Sequence, residues 1–401
     1  MGLFDKKPAA PTPRTKTTPA FVPLAITGLG VACHAGDQPY ALISSVLGQM
    51  SAGQLSDKHK IKQNDGSYAV PRMAYVEEMA DEKDRDRMYA LATVALKNVL
   101  AQLSANVSLD KTLVLLITET SLITRFKKID TLHFKNYLTE KNSNLSSSVF
   151  RILQNDAISS ASAVRTAIAE LNEGKWQAII FGGADSLVSI YKCMDLLSED
   201  RLNIVGKTEG IVPGEAAAFV ILQVQEEAAK NSTPVLAYLR GLGVAAEPNA
   251  RESDLAATEG LPSAINQALT QAGMAATDIQ GIVHNLGAET VQALEWYQTT
   301  QTIWPRRVDE QQRMAVQLGE IDQPEIPDDP IPKIVLPYMT MGEVGAASLP
   351  IHLATALAWL EYAADQARWG FPQRYHLLVC ETPDVAERGA LIISTTLAAS
   401  A

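Results

Sequence analysis

Cysteine, histidine and aromatic residues are scarce in this 401-residue chain, which has three cysteines, six histidines and 6% aromatic content. Each scarcity excludes something. Cys33, Cys193 and Cys380 are far apart and odd in number. They offer neither a disulfide framework nor metal-ligand spacing, and they read as small buried hydrophobes of a reducing compartment. Positive charge is also short: 34 Lys and Arg face 45 Asp and Glu, for a formal net charge of −11. That balance argues against a general nucleic-acid binder, because phosphate contacts need concentrated positive surface. No stretch is long and apolar enough to span a bilayer.

The opening MGLFDKKPAAPTPRTKTTPAF lacks the apolar core of a signal peptide, and Lys6 stands where N-myristoylation wants Ser or Thr. Residues 1–21 read as a flexible Pro/Thr/Lys-rich tail, and the expected location is the cytoplasm. No cofactor motif and no metal site is expected.

What is present is a duplication. A chain of this length favours two domains or one repeated unit. GLGVA occurs at 28–32 and again at 241–245, each time after an apolar run that reads as a strand. DRMYALATVALKNVLAQL and TLVLLITET follow the first copy; LPSAINQALTQAG and GIVHNLGAET follow the second. Further on, SSASAVRTAIAELNEG, WQAIIFGGADS and GEAAAFVILQV are matched by GAASLPIHLATALAWLEYA, RYHLLVCETPD and GALIISTTL. Strands alternating with helices in the same order predict mostly parallel α/β halves, residues 22–230 and 231–401, packed as a five-layered body. Two stretches read as surface excursions. Residues 120–151, with Arg125, Lys127, Lys128, Lys135 and Lys141, are expected as a solvated loop, the alternative being a docking site for an acidic partner. The acidic, proline-rich 304–333 is a candidate partner surface or a poorly ordered loop.

QNDAISSASAV, at 154–164, clusters small and hydroxyl residues where a helix begins, with one isoleucine, Ile158, among them. PLAITGLGVACHAGD, IIFGGADSLVS, GIVPGEAAAFVIL and MGEVGAASLPIHLATAL, in this order and spacing, resemble the thiolase superfamily, specifically its β-ketoacyl-acyl-carrier-protein synthase branch. The resemblance covers nearly the whole chain from residue 22. It implies a thiolase-like fold of duplicated βαβαβαββ halves in α-β-α-β-α layers, and acyltransferase chemistry. In that chemistry a cysteine at a helix N-terminus takes the acyl group as a thioester, and two histidines, or a histidine and an asparagine, stabilise the enolate.

Placed on the family's motifs, Ile158 takes the nucleophile's position, flanked by Ser159 and Ser160, which are expected to cap the helix. The first histidine falls on Asn285 or His284, depending on how HNLGAET is aligned. The supporting lysine falls on Pro337 and the second histidine on Gly342, with Glu343 the nearest titratable group. The resemblance therefore implies a degenerate site, without the family's decarboxylative condensation.

Four functions follow as expectations. The first is a pseudo-ketosynthase serving as a structural or accessory subunit, forming a homodimer or heterodimer through a strand of the first half, WQAIIFGG. The second is a chain-length-factor-like partner of an active ketosynthase in fatty-acid or polyketide synthesis. DRLNIVGKTEGIVPGEAAAF, HNLGAETVQALEW and MGEVGAAS are also similar to degenerate ketosynthase-like proteins of type VI secretion effector loci, implying an effector or adaptor protein as partner. The last is an acyltransferase or thioester hydrolase using Ser159, Ser160 or His284. Acyl carrier protein is a further candidate partner.

Overall fold

The computed structural model describes residues 21–51, 53–56, 58–63, 65–79, 85–118, 130–154, 159–207, 209–248, 250, 259–306, 310–323, 330–367 and 375–397. The tail at 1–20 and positions 125, 127, 128 and 158 lie outside them.

One sheet of ten strands runs through the molecule. In the first half they are β1 (Leu24–Cys33), β2 (Thr112–Thr118), β3 (Val149–Gln154), β4 (Ala178–Ser186) and β5 (Glu215–Val224). The second half supplies β6 (Ala237–Ala246), β7 (Gly281–Val283), β8 (Lys333–Val335), β9 (His376–Glu381) and β10 (Glu387–Ser394). The spatial order is β8-β7-β9-β10-β6-β1-β5-β4-β2-β3, so each half repeats one order outward from the centre. The halves meet in a short antiparallel ladder, Leu24–Ile26 of β1 against Ala237–Leu239 of β6.

The recurring pentapeptide has a packing cause. A helix crosses each copy: α2 (Arg85–Leu100) lies on β1, and α6 (Gly260–Ala272) on β6. A side chain at Gly30 would collide with the Ala95 carbonyl of α2, and one at Gly243 with that of Ala264 of α6. Even the ladder irregularity recurs, between Ile26 and Gly28 in β1 and between Leu239 and Gly241 in β6. Close helix–sheet contact at these glycines is what both copies retain.

Two helices form the middle layer, α4 (Ser160–Asn172) and α10 (Ser348–Ala367). Both touch strands of both halves, which is why α10 is apolar nearly all round over its first three turns. With α2 and α6 outside, the result is the expected α-β-α-β-α stack. Strands covered on both faces read as continuous apolar runs, and β1, β2, β4 and β9 are buried at every residue.

Two expectations are corrected. WQAIIFGG is no edge: β4 pairs with β2 on one side and β5 on the other. Among the described residues the first-half edge is β3, a half-exposed strand pairing only with β2. Nor is 120–151 a solvated loop throughout, because its described part holds α3 (Thr131–Lys141) and the start of β3. Asp130 caps α3, and Phe134 and Leu138 are fully buried against α2. Lys135 lies over the Phe150 ring and Lys141 over that of Tyr137, each 5.8 Å from the centroid. In the described part of 304–333, Trp304 is buried, whereas α8 (Glu310–Gln317) buries no residue.

Candidate functional site

The start of α4 shows how this sequence builds a helix terminus. Ser159 is extended and its hydroxyl accepts from the Ser162 N–H at 3.1 Å, so it is the N-cap. The other first-turn donors go to the distant end of the chain. Glu381, at the end of β9, accepts from the N–H groups of Ser160 and Ala161, both at 2.9 Å. Glu387, at the start of β10, accepts from the Ser159 N–H and from the hydroxyls of Ser159 and Ser162, at 2.8–2.9 Å.

The two carboxyls respond differently. Burial pushes Glu381 above the usual carboxylate range, against the opposing bonds from Ala161 and Ser160 and with the Glu387 charge adding to it. For Glu387 burial acts the same way, yet the Ser159 and Ser162 bonds, with Arg165 nearby, outweigh it and hold the group low. A carboxylate held low has little tendency to take a proton from the Ser159 hydroxyl that it accepts from.

The second segment separates its two candidates. His284 closes the end of β7, its N–H donating to Val335 O at 3.2 Å, and its ring tilts against Trp296 with centroids 4.9 Å apart. The residue is 2% exposed, and its Nδ1 has no hydrogen-bond partner among the described residues. Burial, and then the charges of His352 and Arg388, push its pKa down to about 3, so the ring is neutral at pH 7. Asn285 turns the other way and donates Nδ2 to Glu343 Oε2 at 2.8 Å.

The third segment therefore meets Asn285, not His284. Pro337 begins the short helix α9 (Pro337–Met341) at a buried position, where its fixed φ suits the first helical residue. Gly342 follows with φ +69°, and a side chain there would collide with the Val212 carbonyl oxygen. Glu343 Oε1 accepts from the Gly345 N–H at 2.9 Å and the Ser348 hydroxyl at 3.0 Å. Burial raises Glu343 above the carboxylate range, partly offset by Asn285, Ser348 and Gly345.

Further residues join these clusters that the sequence did not single out. Arg201 grips Glu289 at 2.8 and 2.9 Å and Asp384 at 3.1 and 3.3 Å, tying a first-half loop to two second-half loops. Asp185, at the end of β4, accepts from Lys192 Nζ and the Ala346 N–H, both at 3.0 Å. Glu215 of the Gly-Glu-Ala hairpin takes Arg87 Nε and the Val76 N–H, both at 2.8 Å. No group of three or more His, Cys, Asp or Glu that could hold a metal occurs among the described residues, where no helix is long and apolar enough to cross a membrane.

No protein-family model matches the chain, and no curated protein matches it. Solved structures do. The oxazolomycin ketosynthase domain OzmH KS7 of Streptomyces albus JA3453 superposes with a TM-score of 0.70 at 12% identity, over 95% of this chain and 75% of that one. The chain has a ketosynthase fold. A type II polyketide acyl-carrier protein in complex with its ketosynthase, AntDE:AntF, gives a TM-score of 0.68 at 10% identity, covering 94% and 99% of the two chains. The ishigamide ketosynthase/chain length factor gives 0.62 at 16%, covering 93% and 99%. Within this thiolase-like ketosynthase fold, the loops described above lie at the C-terminal ends of β4, β7 and β9, where α/β sheets commonly place their sites.

Proposed function

We propose that this ketosynthase-fold chain is a catalytically inactive subunit that acts by associating with another protein. The observation that carries the reading is the backbone at Gly342, the position of the second histidine in the ketosynthase motif. With φ at +69° and the Val212 carbonyl against its Cα, that position holds no side chain. Isoleucine at 158 and proline at 337 support the same conclusion, since neither offers a nucleophile or an ammonium. Asn285 is tied to Glu343, and the buried His284 ring packs on Trp296 and is neutral at pH 7, so neither is placed as a free catalytic base.

A chain-length-factor-like role is the second reading, supported by the likeness to a ketosynthase/chain length factor. In either role the first-half edge strand β3 is the route to a homodimer or heterodimer. Among the described residues it pairs on one side only, and Val149 on it is 42% exposed.

The test has two arms. The purified chain, given acyl- and malonyl-acyl-carrier protein, is expected to show no covalent acylation by intact mass and no condensation product. Affinity purification from the native cell is expected to retrieve a defined partner in stoichiometric amount. An active ketosynthase would select the chain-length-factor reading, and a secretion effector or adaptor the secretion context. Acylation lost in Ser159→Ala or Ser160→Ala would overturn the inactive reading.

A further inference from the structure

An antiparallel layer that covers a core on one face normally turns polar side chains to water on the other. One small layer of the first half departs from this. Gln54–Leu55 pairs with Arg72–Met73 and Ile61–Lys62 with Tyr68–Ala69, making a hairpin whose register shifts between the two ladders. Residues 203–205 run along its other side: Arg72 N–H donates to Asn203 O at 3.0 Å and Val205 N–H to Val70 O at 3.1 Å. Ile61, Ala69 and Met73 point inward and share a buried cluster with Cys193 and Leu196 of α5 (Ile190–Ser198). Side chains alternate along a strand, so their neighbours face water. Leu55 stands opposite Arg72 there and Tyr68 opposite Lys62, with Val205 on the third segment. Leu55, Tyr68 and Val205 are 44, 59 and 55% exposed.

The same face is cationic. Residues 57–72 carry Lys58, Lys60, Lys62 and Arg72 against Asp57 and Asp65, in a chain of formal net charge −11. All four cations are exposed, and none pairs with a carboxylate among the described residues. Asp65 is engaged in its own turn, accepting from the Ser67 N–H at 2.9 Å and the Ser67 hydroxyl at 2.7 Å. Lys207 and Asp200, on either side of the third segment, neutralise each other at 2.7 Å. Lysine on a strand edge guards against stray pairing, but that device replaces apolar groups, and here they remain. Exposed Tyr and Arg among aliphatic side chains are what a protein interface favours. The charge selects the partner. Carboxylates complement this face, whereas an anionic bilayer, a nucleic acid or a second copy meets the negative charge of the rest of the chain.

We propose that the outer face of this hairpin, with Leu55, Lys60, Lys62, Tyr68, Arg72 and Val205, docks a protein partner whose contact surface is acidic around an apolar centre. Tyr68 and its aliphatic neighbours take that centre out of water, and the lysines and Arg72 meet its carboxylates at the rim. The proposal rests on the chain acting by association with another protein, and it gives that association a surface other than the edge strand β3. The cations steer the encounter, so binding weakens as salt rises.

Two probes of defined chemistry test it, a random glutamate–tyrosine copolymer and polyglutamate. The full chain is expected to bind the copolymer about tenfold more tightly than polyglutamate. Lys60→Glu with Lys62→Glu should weaken copolymer binding about tenfold and flatten its salt dependence. Tyr68→Ser with Val205→Ser should bring the copolymer down to the level of polyglutamate. Equal binding of the two polymers, absence of binding, or either double variant binding like the parent overturns the proposal. So does tighter binding to phosphatidylglycerol vesicles or duplex DNA, or a dimer that both double variants dissolve, since each puts another occupant on this face. The partner retrieved from the native cell separates this surface from the wider reading. Retrieval that falls about tenfold in both double variants supports the proposal. Equal retrieval overturns it and leaves the association standing. No partner at all overturns the association itself, whatever the polymers show, and the proposal with it.

Discussion

Asn285 holds Glu343 through a single 2.8 Å hydrogen bond, and that bond joins the segment after β7 to the turn before α10. The carboxyl it meets is raised by burial, so folded Glu343 binds protons more tightly than unfolded Glu343 does. Its contribution to stability is therefore greatest at acidic pH and declines as pH rises above the ordinary glutamate value.

Asn285→Asp should steepen that decline. The substitution sets a second carboxylate against Glu343, at a cost of about 1–3 kcal/mol at pH 8. Recovery is expected near pH 5, where the pair can share a proton. Urea unfolding at the two pH values measures both, and parallel losses at pH 5 and pH 8 would contradict the account.

Arg388 should be among the most sensitive positions in the second half. Arg388→Met strands the carboxylate of Glu295 and frees three turn carbonyls, which should cost about 3–5 kcal/mol. Adding Glu295→Leu is expected to restore much of the loss, because two well-packed apolar groups replace a buried pair at little cost. Denaturant midpoints of the single and double variants decide it.

Gly342→Ala should lose about 1–3 kcal/mol, since an L-residue at φ +69° is strained and its Cβ meets the Val212 carbonyl. Gly342→His should be at least as unstable and gain no condensing activity. A stable, active Gly342→His would refute the exclusion of a side chain at this position.

The histidine pair sets an opposite pH trend. Burial lowers His284 to about 3 and His352 to about 4, so the unfolded chain takes up protons first as pH falls below about 6.5. Stability from both is lost between about pH 6.5 and those values. His284→Phe keeps a ring against Trp296 and should flatten this acid loss relative to the parent. Imidazole NMR signals of His284 in the parent should not move between pH 8 and 5.

The duplication was legible because its cause is local: GLGVA is required wherever an outer helix presses on the first strand of a half. The edge strand β3 was not, since FRILQ mixes polar and apolar residues, as a half-exposed strand does, and gives no clean period. The segment around α3 was read by its lysines, while only Phe134 and Leu138 of that helix are buried. In ETPDVAER, Glu381 and Glu387 look like charges flanking an ordinary turn. Nothing in their neighbourhood announces a helix more than 200 residues earlier, so long-range pairing of this kind cannot be read from spacing.

That long reach fixes an order of events during synthesis. Ribosomal elongation at ~5–20 residues per second leaves a gap of roughly 10–40 s between the completion of α4 and the arrival of Glu387. Over that interval the newborn first half carries a middle-layer helix capped only by the Ser159 hydroxyl, with three amides still without their carboxylate partners. Its last step toward the native state waits for the C-terminal strands, so a polypeptide truncated before residue 381 lacks both carboxylates that complete this helix.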